Sequence, residues 1–275
     1  MRNILVTGCS SGIGYCVARG LKERGYNVFA TARKPEDIQR LEQEGFRVIP
    51  LELADPESVV DCVHELMLRT NNEVYAVFHN GAYGQAGALE DIRREVLEQQ
   101  FAVNVFGWHQ LTRACMPMFR ANGRGRIVQC SSILGLVALK WRGAYNASKF
   151  ALEALTDTMR LELRGTQIHL SLIEPGPITS RFTEHALKHF EKNIDAGASA
   201  YQKDYERQRA RLGRGGSNKF KLPPEAVLEK LIHAVESDRP HARYYVTRPT
   251  TYMAVLRRLL PQRALDYVLD KASDQ

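Results

Sequence analysis

Seven short runs rich in β-branched and aromatic residues recur along this chain, and each is apolar on both faces. They are Ile4–Val6, Asn27–Thr31, Phe46–Leu51, Val74–His79, Arg126–Cys130, Ile168–Ile173 and Arg243–Thr247. A strand with no polar face has to be covered from both sides, as in a parallel sheet flanked by helices. The segments between the runs carry helix signals. Asp55–Pro56–Glu57 combines a capping aspartate, a first-turn proline and an acid, and Pro223–Pro224–Glu225 marks another start. The alternation predicts an α/β fold, a doubly wound parallel sheet of seven strands with its ligand crevice at the carboxyl ends.

With 275 residues, 44% of them hydrophobic, the chain can bury one large core. No repeat or low-complexity linker divides it, so one domain over residues 1–275 is expected. Lys and Arg total 38 against 31 Asp and Glu, a net charge of +7 that favours anionic partners such as phosphorylated cofactors. No aromatic-basic recognition motif accompanies the charge, so nucleic acid is not an expected partner. Cys9, Cys16, Cys62, Cys115 and Cys130 are scattered and odd in number, without CxxC spacing or a zinc-completing histidine. Reduced, buried thiols, no metal and a cytoplasmic location are expected. The N-terminal MRNILVTG enters a strand with no export segment, and no stretch approaches the ~20 apolar residues of a membrane span.

Directly after the first strand stands TGCSSGIG, with Gly8, Ser10, Ser11, Gly12, Ile13 and Gly14. Glycines let a backbone turn tightly and approach a pyrophosphate, and a helix beginning near Gly12 aims its unpaired amides there. At a strand–helix junction the motif points to a Rossmann-type dinucleotide site rather than a plain turn. The second strand ends VFATARK. Ala32 fills the slot where an acid would bind the ribose hydroxyls of NAD, and Arg33 and Lys34 follow. A guanidinium pairs with a 2′-phosphate, so NADP(H) is expected over NAD(H); otherwise Arg33 is solvated surface.

In GAYNASKFALEAL, Tyr145 and Lys149 lie four positions apart on one face of a helix, a rise of ~6 Å. A phenol of pKa about 10 is too weak an acid to trade protons near neutrality, and a nearby ammonium favours its ionised form. Ser132, in CSS at the end of the preceding strand, can hold a substrate oxygen beside the phenol. Asn104 in FAVNVFG lies within an apolar helix, where an amide needs partners; a structural cap and a proton-relay water site are both open. His79 reads as a neutral core histidine or a base. Leu152, Leu155, Met159 and Leu163 form a stripe suited to core or subunit packing.

Residues 181–222 interrupt the rhythm. RFTEHALKHFEKN reads as helix, followed by AGASA, a charged run through Arg214, and Gly215–Gly216–Ser217. Such an insertion is a lid or a disordered loop. Its Lys188, Lys192, Arg207 and Arg211 form a solvated face or steer an anionic substrate. The tail, about residues 250–270, is amphipathic, with Met253, Val255, Leu256, Leu259 and Leu260 beside Arg257 and Arg258. It packs on the sheet or rests on a membrane surface.

These motifs together resemble the short-chain dehydrogenase/reductase superfamily, in its single-domain branch. TGCSSGIG is similar to the family's TGxxxGxG loop. FAVNVFG, Ser132 thirteen residues before Tyr145, YNASK and EPGPI follow in the family's order and spacing, over nearly the first 180 residues. The nearest likeness is to hydroxysteroid- and retinol-dehydrogenase-like members and bacterial NADP-dependent aldehyde reductases. The resemblance implies a Ser132–Tyr145–Lys149–Asn104 tetrad. Tyr145 would be the acid–base, Ser132 would orient the substrate, Lys149 would bind the nicotinamide ribose, and Asn104 would hold a relay water. Main-chain groups at Ile178 would fix the carboxamide. Asn80 matches in HNGA where the family has NNAG, Glu52 before Leu53 stands where an adenine-contacting aspartate is usual, and Ser180 fills a threonine slot. The implied activity is alcohol–carbonyl interconversion with NADP(H) on a small, lipophilic substrate such as a retinoid, steroid or medium-chain aldehyde, by a homodimer or homotetramer. An NAD-retaining epimerase or dehydratase and a non-catalytic cofactor sensor are the alternatives.

Overall fold

The computed structural model describes residues 1–213 and 220–273. Strands β1 (Asn3–Val6), β2 (Asn27–Ala32), β3 (Arg47–Pro50), β4 (Val74–His79), β5 (Gly125–Cys130), β6 (Ile168–Glu174) and β7 (Arg243–Tyr245) form one sheet in the order β3-β2-β1-β4-β5-β6-β7. Every pairing is parallel, from Phe29↔Arg47 to Ile173↔Tyr244. The expected seven-stranded Rossmann-type sheet is therefore observed. Pro50, which has no N–H to donate, ends β3 at the sheet edge, where that costs least. β7 stops short of the predicted Thr247 because that residue caps the next helix.

The helices are α1 (Gly12–Glu23), α2 (Pro35–Gln43), α3 (Pro56–Thr70), α4 (Arg94–Phe101), α5 (Gly107–Ala121), α6 (Gly143–Glu162), α7 (Phe182–Asn193), α8 (Gln202–Gly213), α9 (Glu225–Glu236), α10 (Arg248–Leu259) and α11 (Gln262–Ser273). Asp55 caps α3 as predicted, accepting from Glu57 N at 3.0 Å. α1 packs on α9 and α3 on α5, so both faces of the sheet are covered and all six residues of β5 are buried. Leu152, Leu163 and Met159 of the predicted stripe meet this core, whereas Leu155 is exposed. All five cysteines are buried and unpaired.

The strand order reverses beside β1, where the chain runs to β2 and β3 and then returns to lay β4 on β1's other edge. The loops after β1 and β4 diverge there and open a crevice. Two tertiary features bear on the alternatives left open for the insertion and the tail. The insertion after β6 is not a loose loop. Phe190, Ile194, Tyr205 and Leu212 of α7 and α8 and their junction form a second apolar cluster with Ala86 and Ala88 of the β4–α4 connection. Tyr205 Oη donates to Asp91 and accepts from Ala88 N at 2.9 Å. Arg214 and the predicted Gly215–Gly216–Ser217 turn lie outside the described residues. The tail is two helices broken at Pro261, and α10 packs against β7. Lys140 pairs with Asp270 and Lys140 N donates to Ser273 Oγ at 3.0 Å, holding α11 against the β5–α6 connection. No helix among the described residues is long and apolar enough to cross a membrane.

Candidate functional site

The loop after β1 is built for close approach. Gly8 and Gly12 adopt φ of +71° and +57°, where a side chain is strained. A Cβ on Gly8 would stand 2.6 Å from Gly81 Cα, and one on Gly14 would stand 2.1 Å from Gly8 O. Thr7 Oγ1 accepts from Asn80 N at 2.8 Å and Gly81 N at 2.9 Å, and Asn80 Nδ2 donates to Thr7 O and Gly8 O at 3.1 and 3.3 Å. Asn80 thus clamps the β4 loop to the glycine loop, and the altered HNGA order preserves that clamp. Arg40, which the sequence did not single out, reaches from α2 to donate to Ser10 O at 2.7 Å.

A cavity of about 460 Å³ opens above this loop. Gly8, Ser10, Ser11, Gly12 and Ile13 line it, with Arg33, Lys34, Glu52, Leu53, Asn80 and Ser180. Gly14 lies beneath them, packed on Gly8. Ser11 precedes α1, and its hydroxyl makes no capping bond. Arg33 is not bare surface: its Nη1 lies 2.9 Å from Glu52 Oε2, and Glu52 Oε1 accepts from Ala54 N at 3.1 Å.

A larger cavity of about 690 Å³ contains Ser132, Tyr145, Lys149 and Ile178. The two cavities share Ile13, Asn80, Ala82, Ser180 and Phe182 in their walls, so they lie side by side. Ser132 Oγ accepts from Leu134 N at 3.1 Å, and the hydroxyl's hydrogen bond to Tyr145 favours the phenolate. Lys149 is 1% exposed; its Nζ donates to Cys130 O at 2.8 Å and lies 4.3 Å from the Trp108 ring centre and 5.7 Å from that of Tyr145. Trp108 Nε1 in turn donates to Gly81 O at 2.7 Å, so one indole braces both the lysine and the β4 loop. Burial decides the proton balance here. It pushes the Tyr145 phenol above its usual range and lowers Lys149 to about 8. The expected acidification of the phenol by the ammonium is not observed: burial first, and then Cys130, raise Tyr145.

Asn104 falls in a π-helical turn, Ala102–Phe106, between α4 and α5. Its Nδ2 donates to Tyr83 O at 2.9 Å and to Ser148 Oγ at 3.2 Å, and its Oδ1 accepts from Tyr83 N at 3.2 Å. Ser148 Oγ donates to Tyr145 O at 2.8 Å, which connects Asn104 to the backbone of the site. The amide side chain is therefore committed to protein partners. Gly107, the last residue of FAVNVFG, allows α5 to meet β3's exit: a Cβ there would stand 2.1 Å from Leu53 O. His79 is fully buried and stacked on Trp108, and it titrates near 3 because burial and then Lys149 disfavour its cation. Its Nε2 meets Thr112 Oγ1 at 2.9 Å, while Nδ1 has no partner, so the core histidine is only half satisfied.

The walls of the larger cavity hold the main surprise. Phe182 of α7 lies 5.2 Å from the Tyr145 ring, centre to centre. Leu222 N donates to Pro177 O and Thr179 N to Leu222 O, so a bridge at Ile178 pins both ends of the α7–α8 insertion. Tyr252 and Met253 of α10 and Tyr267 and Val268 of α11 line the same cavity. The amphipathic tail is thus one wall of the cleft.

The family model for short chain dehydrogenase matches residues 2–190. The Escherichia coli oxidoreductase YbbO, itself uncharacterized, is 44% identical over 268 residues, spanning 98% of this chain and 94% of that protein. An NADPH-dependent 3-dehydrocapnine reductase of Ornithobacterium rhinotracheale is 31% identical over 282 residues, spanning 98% and 97%. The crystal structure of a short-chain dehydrogenase from Streptomyces avermitilis has a TM-score of 0.80 at 26% identity, covering 97% of this chain and 93% of that one.

Proposed function

Because the chain belongs to the short-chain dehydrogenase/reductase family, and is an oxidoreductase of that family, we propose that it uses NADP(H) to interconvert an alcohol and an aldehyde or ketone on a lipophilic substrate. The carrying observation is that Ser132, Tyr145 and Lys149 line a mainly apolar cavity next to the glycine-loop cavity, the two sharing five wall residues. The residues suit a dinucleotide: the glycine loop leaves no room for side chains, Ser11 keeps a spare hydroxyl, and Ala32, followed by Arg33, stands where an acid would select NAD. Gly8, Ser10, Ser11, Gly12 and Ile13 would hold the pyrophosphate, Arg33 and Lys34 a 2′-phosphate, Lys149 the nicotinamide ribose, and Ile178 and Ser180 the nicotinamide end. The NADPH requirement in the name of the Ornithobacterium reductase supports the same choice.

NADPH, when bound, supplies a hydride to the carbonyl carbon. Tyr145 gives its phenolic proton to the carbonyl oxygen, so the alcohol forms with charge balanced. Ser132 donates to the same oxygen and holds it beside the phenol. Lys149, still largely protonated below its value of about 8, stabilises the phenolate left behind. Because Asn104's side chain is spent on Tyr83 and Ser148, a relay water would bind its main chain rather than its amide. Val137, Leu139, Leu212 and Met253 make the cavity suited to an apolar body. α7 and α8 serve as its cover. Phe106, on the π-turn, and Leu155, on α6, are exposed apolar side chains that support pairing of two copies through this region. A monomeric mass in solution light scattering would refute that pairing.

The test is NADPH consumption, followed by absorbance, with a panel of aldehydes, retinoids and steroids. Tyr145→Phe should lose about 10²–10⁴-fold in turnover and still quench NADPH fluorescence on binding. An intact rate in that variant would reject Tyr145 as the acid. A reaction that leaves NADPH unconsumed would favour the epimerase or dehydratase alternative.

A further inference from the structure

The larger cavity has an end that carbonyl chemistry does not explain. Its charged lining residues are all basic: Arg142, Lys149, Arg211, Lys221 and Lys271, with no carboxylate among them. Arg142 stands just before α6, three residues ahead of Tyr145. Its Nη1 is sealed from solvent and has no hydrogen-bond partner. Trp141, immediately before it, is held at φ +65°, a conformation a bulky residue rarely takes, with its ring against Tyr201 and Tyr205. Arg211, at the end of α8, donates from Nε to Gln208 Oε1 at 2.9 Å and meets no carboxylate among the described residues. The adjoining RGGSNK, residues 214–219, contains no acid either.

Four other cations of the α7–α8 insertion behave differently. Lys188 and Arg181 pair with Glu184 at 3.0 and 3.1 Å, Arg207 pairs with Asp204, and Arg209 lies 4.0 Å from Glu191. These residues form the solvated face. Arg142 and Arg211 instead line the cavity and are close enough for their like charges to act on each other; burial, and then that repulsion, lower Arg142 to about 9, which still leaves it charged at neutral pH. Two guanidiniums against an apolar cavity, with no carboxylate partner among the described residues, oppose folding unless something compensates them.

We propose that Arg142 and Arg211 form an oxyanion-binding end of the substrate cavity, and that the physiological substrate is an apolar aldehyde or ketone bearing an anionic group such as a carboxylate, phosphate or sulfonate. The proposal rests on the reading of this cavity as the carbonyl site. A guanidinium fork matches a planar or tetrahedral oxyanion, and the dry surroundings strengthen the contact. The apolar walls carry the chain, and Tyr145 and Ser132 hold the carbonyl.

The test compares ω-oxo fatty acids, from octanoic to dodecanoic length, with their methyl esters as substrates for the NADPH-loaded protein. At the best length the acid should show a KM about tenfold or more below its ester. In Arg142→Met/Arg211→Met the acid-to-ester ratio should fall to about one. A ratio near one in the wild type at every length, or one that survives in the double variant, overturns the proposal. A second readout needs no turnover: dodecanoate should raise the melting temperature of the NADPH-loaded wild type more than dodecanol does, and this difference should vanish in the variant. If no aldehyde is reduced but that difference is seen, the anion site stands and the carbonyl reading fails. Without ligand the double variant should melt at or above the wild type, because two partly buried charges with no carboxylate partner among the described residues are gone. A large fall would make the arginines structural and would overturn the proposal.

Discussion

Replacing Arg33 isolates the basis of cofactor choice. In the free protein its guanidinium is 63% exposed and paired with Glu52 at 2.9 Å. An exposed pair of this kind contributes about 0–1 kcal/mol, while a charge-assisted bond to phosphate contributes about 1.5–3 kcal/mol. Exchanging one for the other nets about 1–2 kcal/mol, a factor of about 5–30 in affinity. Arg33→Ala should therefore raise the KM for NADPH by about that factor and leave NADH nearly unchanged. Glu52→Gln keeps the acceptor that Ala54 N uses, frees Arg33 and removes a carboxylate from beside the incoming phosphate. It should lower the KM for NADPH by about two- to fivefold, on the order of 0.5–1 kcal/mol. Both effects should shrink at high ionic strength, because the site is open to solvent. The assay is steady-state NADPH and NADH kinetics with one saturating aldehyde at two salt concentrations. Equal losses with both nucleotides in Arg33→Ala, or weaker NADPH binding in Glu52→Gln, would refute the argument.

Other consequences follow from the same geometry. His79 is held neutral to about pH 3, so the unfolded chain binds the extra proton between about 6.5 and 3, and stability falls as the pH drops through that window. The contribution is at most roughly 5 kcal/mol. His169, His185 and His189 are lowered too, so the urea midpoint of His79→Gln should decline less steeply from pH 7 to 4 than that of the wild type. An unchanged slope would mean His79 does not carry the effect. Gly14→Ala would press a methyl against Gly8 O and should cost about 1–3 kcal/mol in thermal unfolding, with loss of NADPH fluorescence quenching. Tyr205→Phe removes the hydroxyl that joins Asp91 and Ala88 N, at about 1–3 kcal/mol. Faster proteolysis within α7–α8, with the sheet intact, is the expected signature; an unchanged digestion pattern would argue against that anchor.

Much of the fold was legible in the residues because its signals are local. Two-sided apolar runs, Asp55 before Pro56, and glycines after β1 specify backbone geometry within a few positions, and all seven strands formed within one or two residues of the expected ends. The spacing of Ser132, Tyr145 and Lys149 was equally local, since a helix turn and a strand end bring them to one cleft. Their ionisation was not legible, because it is set mainly by burial in the finished fold rather than by their i,i+4 spacing.

By itself the sequence determined the parallel sheet, the glycine loop and the residues that meet at the crevice. Tertiary structure alone decided that α10 and α11 wall the cavity, that Glu52 holds Arg33, that Asn104's amide is spent on Tyr83 and Ser148, and that Arg142 and Arg211 line that cavity while Lys188 and Arg207 pair outside it. The physical reason is range. Hydrophobic periodicity reports which face of an element leaves water, but the direction of a long charged side chain depends on partners brought close only by the finished fold.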